Sequence, residues 1–190
     1  MDIAIQTESR TLNNSLDIVN HQEQLLNDLI AGKRSAQKIL YQKYFGKMIG
    51  VTLRYTRTKE EAYEVLNDAF LKIFKSIHKY EGKGPLEGWM YKIVLFTSYQ
   101  YVRDKYKIKE ITKELQPQQA TVDNDAWSNL GLEHIYSKIQ MLPDARRIVF
   151  SMHALDGLKH KEIASELGIS VSTSKWHLAQ ARTQLQNLLK

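Results

Sequence analysis

The stretch LPDARRIVFSMHALDGLKHKEIASELGISVSTSKWHLAQARTQLQNLL, from Leu142 to Leu189, decides the fold of the C-terminal part of this chain. Its first helix is predicted to begin at Pro143, because a residue without a backbone N–H suits the first helical position. Asp156-Gly157 is predicted to end that helix, since glycine tolerates the left-handed backbone that terminates helices. An apolar stripe at helical spacing lies between these two signals and consists of Ile148, Val149, Met152 and Leu155.

A second and a third helix follow, with a tight turn between them. Gly168 makes the turn, and the side-chain oxygen of Ser170 is predicted to cap the third helix. The second helix carries Ile163, Ala164 and Leu167 on its apolar face. The third helix is expected to bury Leu178, Ala181, Leu185 and Leu188. This arrangement predicts a helix-turn-helix.

The other face of the third helix is polar and basic. A helix fits the major groove of DNA, where such side chains reach base edges or phosphates. The residues predicted to face DNA are Ser172, Thr173, Lys175, Trp176, Gln180 and Arg182. The alternative is an ordinary solvated helical hairpin. DNA binding is favoured over it because the turn, the small Ala164 and the basic face agree.

Composition bounds the class of protein. A length of 190 residues fits one or two domains, and a net charge of +6 favours an anionic partner. The absence of cysteine excludes disulfides, thiol catalysis and cysteine-based zinc sites, and it is compatible with a reducing cytosol. No apolar run approaches the roughly 20 residues that span a membrane, and the N-terminus lacks the pattern of a signal peptide. We therefore expect a cytoplasmic protein.

The helical period dominates the whole chain, so the predicted fold class is all-α. Residues 1–22 are polar and are expected to form an N-terminal arm. A first helical domain is predicted over 23–109 and a second over 134–190. The segment 110–133 between them is polar and reads as a flexible linker, in which Trp127 stands alone. Gly32 is predicted to end the first helix, with Ser35 as the cap of the next.

A strongly amphipathic helix is predicted to begin at Thr58, in the capping-box sequence Thr58-Lys59-Glu60-Glu61. Its broad apolar face consists of Ala62, Val65, Leu66, Ala69, Phe70, Ile73, Phe74 and Ile77. Acidic residues lie early in this helix and lysines lie late, which suits the helix dipole. From spacing alone, the polar residues Glu64, Asn67 and Asp68 are a solvated face.

Aromatic and cationic residues alternate further along the first domain. A loop with Tyr80 and Lys83 precedes a helix whose side chains at steps of three and four are Trp89, Lys92, Phe96, Tyr99 and Arg103. Rings interleaved with cations suit single-stranded DNA, on which bases stack and phosphates pair with the cations. The alternative is that the rings pack in a core. The core is favoured for Trp89, and the pattern does not decide between the two for Phe96 and Tyr99.

These motifs together resemble the extracytoplasmic-function sigma factors of bacterial RNA polymerase, from about Glu23 onward. In the first domain the similarity lies in EVLNDAF at 64–70, in WMYKIV at 89–94 and in Arg103. In the second it lies in LPDARRIVF at 142–150, in EIASELGIS at 162–170 and in TSK at 173–175. The order and spacing of these two sets of motifs are specific to that family, whose members consist of regions two and four joined by a linker.

The resemblance implies a promoter-specificity subunit without catalytic residues, cofactor or metal. Its implied partners are core RNA polymerase and promoter DNA, and it admits an anti-sigma factor. Polymerase binding is implied for Glu64, Asn67 and Asp68. Contact with the minus-ten element is implied for Tyr80, Lys83, Lys92, Phe96, Tyr99 and Arg103. The minus-thirty-five element is assigned to the exposed face of the third helix of region four.

Several residues depart from the family pattern. Phe96 stands where an asparagine is usual, and Gln100 where an aspartate is usual. Lys159 replaces the serine or threonine that often caps the second helix of region four. Trp176, His177 and Gln180 replace smaller or arginine residues. These departures predict altered preferences at both promoter elements.

Two other functional classes compete with this interpretation. A helix-turn-helix regulator would have a sensor or dimerisation domain in its first half, yet that half shows an acidic helix followed by an aromatic-basic one. An enzyme acting on nucleic acid is suggested by His160-x-Glu162, but the cysteines that would hold zinc are absent. His153, His160 and His177 lie on different helical segments without metal-ligand spacing.

Overall fold

The computed structural model describes residues 23–105 and 133–189, and every regular element within these two ranges is a helix. The all-α prediction is therefore confirmed for this part of the chain. The predicted arm at 1–22 and all but the last residue of the predicted linker at 110–133, with Trp127, lie outside the described residues.

Four helices form the first block. They are α1 at residues 23–30, α2 at Arg34–Leu53, α3 at Lys59–Ser76 with a single 3-10 turn at Ile77–Lys79, and α4 at Leu86–Lys105. Helices α2, α3 and α4 pack against one another. The buried face of α3 consists of Ala62, Val65, Leu66, Ala69, Phe70 and Ile73, as the apolar pattern predicted.

Two helix starts were predicted in this block, one at Thr58 and one at Ser35, and the structure agrees with the first of them. The Thr58 side chain accepts from the backbone N–H of Glu61 at 3.2 Å, so the predicted cap is confirmed. The Glu61 carboxylate accepts from the N–H of Arg57 rather than from Thr58. The predicted Ser35 cap is wrong. Gly32 has a φ of 72° and lets the chain turn so tightly that α2 begins already at Arg34.

The second block consists of four short elements and one long helix. They are α5 at Glu133–Gln140, α6 at Asp144–Phe150, a π-helical turn at Ser151–Leu155, α7 at His160–Leu167 and α8 at Val171–Leu188. Helix α6 begins one residue later than predicted, after Pro143. Leu155, the last residue of the predicted apolar stripe, is 38% exposed, unlike the other three residues of that stripe. A π-helical turn contains an extra residue, which shifts the helical register that the apolar spacing assumed.

The predicted helix-turn-helix is confirmed. Gly168 ends α7 in the left-handed conformation, with a φ of 65°. Ser170 then caps α8, because its hydroxyl accepts from the N–H of Thr173 at 2.9 Å. The side chains of Leu178, Ala181 and Leu185 are buried, as predicted, whereas Leu188, near the end of the helix, is only half-buried.

The two blocks share one hydrophobic core. Ile148, Val149 and Met152 of the second block belong to the same buried cluster as Phe70 and Val94 of the first. A smaller cluster lies wholly within the second block and consists of Ile139, Leu142, Ala181 and Leu185. The apolar residues near the end of α6 and Leu178 of α8 therefore hold the second block against the first, while Ala181 and Leu185 of α8 hold the second block together.

Candidate nucleic-acid interface

Helix α8 separates its buried face from its polar face. Its predicted DNA-facing residues Ser172, Lys175, Trp176 and Arg182 are exposed, and Thr173 and Gln180 are half-buried. The hydroxyls of Ser172 and Thr173 lie 2.7 and 2.8 Å from the Ser170 hydroxyl at the N-terminus of the helix. The first turn is thus a fixed row of hydroxyls followed by a lysine. Such groups can bind phosphates or base edges.

Trp176 does not pack into the core. Its side chain is 44% exposed, and the guanidinium of Arg146 on α6 lies 5.8 Å from its ring centre. Arg146 also donates to Gln184 of α8 at 3.1 Å, and the His177 ring meets Trp176 edge-on at 4.9 Å. The indole is therefore held beside α6 with one part of its surface open to a ligand.

The predicted minus-ten stripe on α4 divides into exposed and covered residues. Lys92 is exposed, and Phe96 is 59% exposed. Tyr99 is only 2% exposed, so in this conformation its ring packs in the core, which is one of the two alternatives that the sequence pattern left open. Its hydroxyl donates to Asp156 of the second block at 3.0 Å. Arg103 pairs with Glu166 of α7 at 2.6 Å.

The loop before α4 encloses a small cavity. Its volume is about 380 Å³, and its lining consists of Lys79, Tyr80, Glu81, Lys83, Gly84, Pro85, Gly88, Trp89 and Lys92. The Tyr80 hydroxyl donates to the carbonyl of Gly84 at 2.5 Å, which closes the loop on itself. Trp89 is half-buried and its ring lies 5.8 Å from that of Tyr80. The structure thus brings the two predicted loop contacts, Tyr80 and Lys83, to one cavity together with Lys92.

The acidic face of α3 is exposed. Glu64, Asn67 and Asp68 all point to solvent, and the Asn67 carbonyl oxygen accepts from the hydroxyl of Tyr41 at 3.1 Å. Burial raises the pKa of Tyr41, so this hydroxyl stays protonated and remains a donor. Glu64 and Asp68 line a groove of about 300 Å³ between α3 and α4. These side chains are available to a protein partner.

One cluster was not predicted from the sequence. The Asp156 carboxylate is fully buried and accepts from Arg54 at 2.8 Å, from Tyr91 at 3.2 Å, from Tyr99 and from Tyr55. In the sequence Asp156 is only the residue before a helix-ending glycine. No local pattern links it to Tyr55, which lies 101 positions earlier.

The described residues offer no metal centre, since no three His, Asp or Glu side chains among them are grouped to hold an ion. His153 and His160 do lie together, with stacked rings 4.7 Å apart. Among the helices described, none is long and apolar enough to cross a membrane.

Comparison with known families matches both blocks. The family described as Sigma-70 region 2 matches residues 40–108, and Sigma-70, region 4 matches residues 132–185. The RNA polymerase sigma-H factor of Pseudomonas aeruginosa is 22% identical over 180 residues, which are 88% of this chain and 93% of that protein. The RNA polymerase sigma factor YlaC of Bacillus subtilis is 27% identical over 158 residues, covering 80% of this chain and 91% of that protein.

Solved structures of similar chains include the sigma factor RpoE of Bartonella quintana in complex with the anti-sigma factor NepR. It is 17% identical, has a TM-score of 0.47 and covers 80% of this chain and 95% of that one. A structure of CnrH with the cytosolic domain of CnrY is 19% identical, with a TM-score of 0.43 and coverages of 87% and 94%.

The two family matches stand in the order region two, then region four, and they fall on the two helical blocks that the structure describes. The curated relatives match over most of their own length. The chain belongs to the sigma-70 family and, within it, to the extracytoplasmic-function sigma factors, which direct RNA polymerase to promoters and support the initiation of transcription.

Proposed function

We propose that this sigma factor uses three surfaces: the acidic face of α3 for core polymerase, α4 with its preceding loop for the minus-ten element, and the exposed face of α8 for the minus-thirty-five element. The observation that carries the proposal is the separation of faces on α8. Leu178, Ala181 and Leu185 anchor the helix, while its hydroxyls, Lys175 and Arg182 stay accessible. The domain limits proposed are 23–109 for region two and 134–190 for region four, with an arm at 1–22 and a linker at 110–133.

Run-off transcription tests the whole proposal. Core polymerase would be incubated with a library of random promoters, with and without this protein, and the transcribed sequences recovered. The expected result is enrichment of two sequence elements only when the protein is present. Equal transcript populations in both reactions would contradict the proposal.

Polymerase docking is assigned to Glu64, Asn67 and Asp68. Their exposure means that Glu64→Lys plus Asp68→Lys should leave the fold intact while opposing any basic partner surface. We expect a loss of affinity for core polymerase of at least tenfold in a binding titration. The matched control is Glu81→Lys plus Glu87→Lys, which makes the same charge change on another surface of region two and should bind normally.

At the minus-ten element, Phe96 is proposed to stack on a base of the opened strand. Lys92 and Lys83 would neutralise neighbouring phosphates, and Tyr80 would close the cavity of the preceding loop around the strand. Tyr99 and Arg103 lie on the same helix but face region four in this conformation. Their proposed DNA contacts therefore require region four to move.

At the minus-thirty-five element, Ser172 and Thr173 are proposed to contact phosphate at the N-terminus of α8, as helix N-termini commonly do. Lys175, Trp176 and Gln180 would face base edges, and Arg182 would contact phosphate. Gln180 has the two-sided amide that pairs with adenine in the major groove.

We assign this chain no catalytic step of its own, since the polymerase performs the chemistry. The protein would act in the cytoplasm, together with the polymerase. An anti-sigma factor is retained as a further partner to be sought by affinity capture from cells and identified by mass spectrometry.

A further inference from the structure

The contact between regions two and four contains a complete anion-binding arrangement. The anion is the Asp156 carboxylate, which region four supplies. Among the described residues, its donors all come from region two: the guanidinium of Arg54 and the hydroxyls of Tyr55, Tyr91 and Tyr99. Four donors on one carboxylate are more than a structural ion pair needs, and they define a site rather than a single contact.

The donors are held in place by region two itself. The second nitrogen of the Arg54 guanidinium, Nη2, donates to the Tyr91 hydroxyl at 3.1 Å, and the Tyr55 and Tyr99 rings meet edge to face at 5.4 Å. Tyr55 and Tyr99 are buried in the same core cluster. Arg54 is 5% exposed, and its Nε has no hydrogen-bond partner among the described residues. The site therefore exists as a unit to which the carboxylate is added from outside.

The electrostatics of the site favour an anion. Burial raises the pKa of Tyr55 and Tyr99, and the charge of Asp156 raises both further, so the hydroxyls remain donors. Burial lowers the pKa of Arg54, but Asp156 together with Tyr55 and Tyr91 outweighs burial and raises this pKa overall. If Asp156 left, the guanidinium and the three hydroxyls would lose the carboxylate that accepts from all of them.

Region four is held in this position by further polar contacts. Arg57 of region two pairs with Asp144 at 2.8 Å, and Arg103 pairs with Glu166 at 2.6 Å. The Gln140 amide donates to the backbone carbonyl of Leu53. In this position Asp156 covers Tyr99, and Glu166 pairs with Arg103, whose side chain stays partly exposed. Both residues are assigned to the opened promoter strand.

This closed arrangement is incompatible with reading both promoter elements at once. The minus-ten and minus-thirty-five elements are about 25 base pairs apart, as their names indicate. At a rise of about 3.4 Å per base pair, this distance is roughly 85 Å along B-form DNA. A folded chain of this length has a radius of gyration of about 16 Å and is roughly 40 Å across. Region four must therefore leave region two when both elements are bound, and the anion site is then empty of Asp156.

We propose that Arg54, Tyr55, Tyr91 and Tyr99 form an oxyanion site on region two, which Asp156 fills in the closed protein and a backbone phosphate of the opened promoter strand fills once region four has moved away. The inference rests on the proposed function of α4. Arginine and hydroxyl donors are typical of phosphate contacts. The site also adjoins the proposed base-stacking residue, because the rings of Phe96 and Tyr99 lie 6.0 Å apart.

The first test replaces the competing anion. Asp156→Asn in the full-length, polymerase-free protein removes the charge but keeps the shape of the side chain. The variant should give a larger radius of gyration in X-ray scattering, and its affinity for a short labelled thymidine oligonucleotide should rise about tenfold. Glu87→Gln is the matched control, since it removes an ion-paired carboxylate within region two, and it should change neither value. Unchanged scattering and affinity in Asp156→Asn would overturn the proposal.

A second variant tests whether phosphate takes the vacated site. Adding Arg54→Met to Asp156→Asn should leave the protein equally open but reverse the gain in oligonucleotide affinity. The slope of log affinity against log salt should also decrease by about 0.7, the value for one phosphate contact on single-stranded DNA. If the double variant bound the oligonucleotide as tightly as Asp156→Asn, Asp156 would act only by blocking α4, and the phosphate assignment would be wrong.

An exposed substitution keeps the test independent of folding. Should Asp156→Asn fail to fold by circular dichroism, Glu166→Lys places a like charge against Arg103 and should open the protein. Glu87→Lys makes the same charge change away from the contact and should stay compact. Equal radii of gyration for these two variants would overturn the closed state.

Failure of the proposed function is distinguishable from failure of this inference. If wild-type protein gave no polymerase-dependent transcripts while Asp156→Asn still opened and bound the oligonucleotide through Arg54, the promoter surfaces would be wrong and the anion site would stand. Normal transcription with a permanently compact Asp156→Asn protein would remove the inference alone.

Discussion

Two helices of this sigma factor carry the side chains proposed to meet promoter DNA, and they differ in what covers them. Helix α8 presents Lys175 and Trp176 to solvent while its leucines hold the domain together. Helix α4 exposes Phe96 but has Tyr99 buried one turn later against Asp156. The surface proposed to read DNA on region four is thus mostly accessible in the isolated protein, whereas part of the surface proposed on region two is covered by region four.

The largest expected effect is a loss of stability on replacing Leu178, the apolar anchor of α8. Leu178 is 4% exposed and belongs to the core that joins both regions. Leu178→Ala should lower the free energy of unfolding by about 2–5 kcal/mol, because the side chain leaves a cavity. Urea titration followed by circular dichroism measures this loss.

The control for that substitution is an exposed leucine near the end of the same helix. Leu189 is 56% exposed, so Leu189→Ala should change the stability by no more than about 0.5 kcal/mol. Equal losses in the two variants would mean that α8 is not anchored through Leu178, and the contrast between its two faces would fail.

The anchors of α8 were predictable because they depend on neighbours in sequence. The Ser170 cap, the Gly168 turn and the spacing of Leu178 and Leu185 are all local signals, and the structure confirms each of them. Leu155 leaves the buried face of its apolar stripe because a π-helical turn changes the register, and the apolar spacing carries no sign of such a turn.

The site on region two could be predicted only in part. The sequence indicates that rings and cations share a stripe on α4, and Phe96 is indeed exposed. The burial of Tyr99 depends on Asp156, 57 positions away, and on a contact between two domains. A periodic pattern describes one helix and its own faces, so it cannot show which part of a face another domain will cover.

Removing the exposed ring of α4 should have the second-largest effect. Phe96→Ala should slow promoter opening by about 5- to 150-fold, because stacking of a base on an aromatic side chain is worth about 1–3 kcal/mol. Permanganate footprinting with core polymerase measures the rate. Its stability should change little, since the ring is 59% exposed.

The comparison variant is Tyr99→Phe, which keeps the buried ring and removes only the hydroxyl that donates to Asp156. We expect the rate of opening with polymerase to be reduced far less than in Phe96→Ala. A normal opening rate in Phe96→Ala would show that the exposed ring is not used for stacking.

Base preference on α8 should respond to Gln180. If its amide pairs with adenine, Gln180→Ala should lose about 1–3 kcal/mol of discrimination at one position of the minus-thirty-five element. A promoter selection experiment with wild type and variant measures this as a relaxed consensus at that position.

Arg182→Ala provides the contrast on the same helix, since a phosphate contact carries no base information. It should weaken binding to all duplexes alike and lower the log–log salt slope by roughly 0.9. A consensus unchanged by Gln180→Ala but altered by Arg182→Ala would reverse the two assignments.

The smallest expected effect is on the way in which the stability of region four depends on pH. Burial lowers the pKa of His160 from its ordinary value of 6.5, and the neighbouring His153, Lys175 and Arg182 lower it further. The unfolded chain therefore binds a proton at His160 more readily than the folded one. The stability that neutral His160 contributes is fully present above pH 6.5 and is lost as the pH falls through that value to the lower pKa of the folded state.

Thermal melts at pH 7.5 and pH 5 should show a smaller acid-induced loss of stability for His160→Asn than for wild type. His78→Gln, at an exposed position of region two, should retain the wild-type loss. If His160→Asn lost as much stability on acidification as wild type, the stacked pair of His153 and His160 would not oppose protonation. In that case acid sensitivity would have to arise elsewhere in the fold.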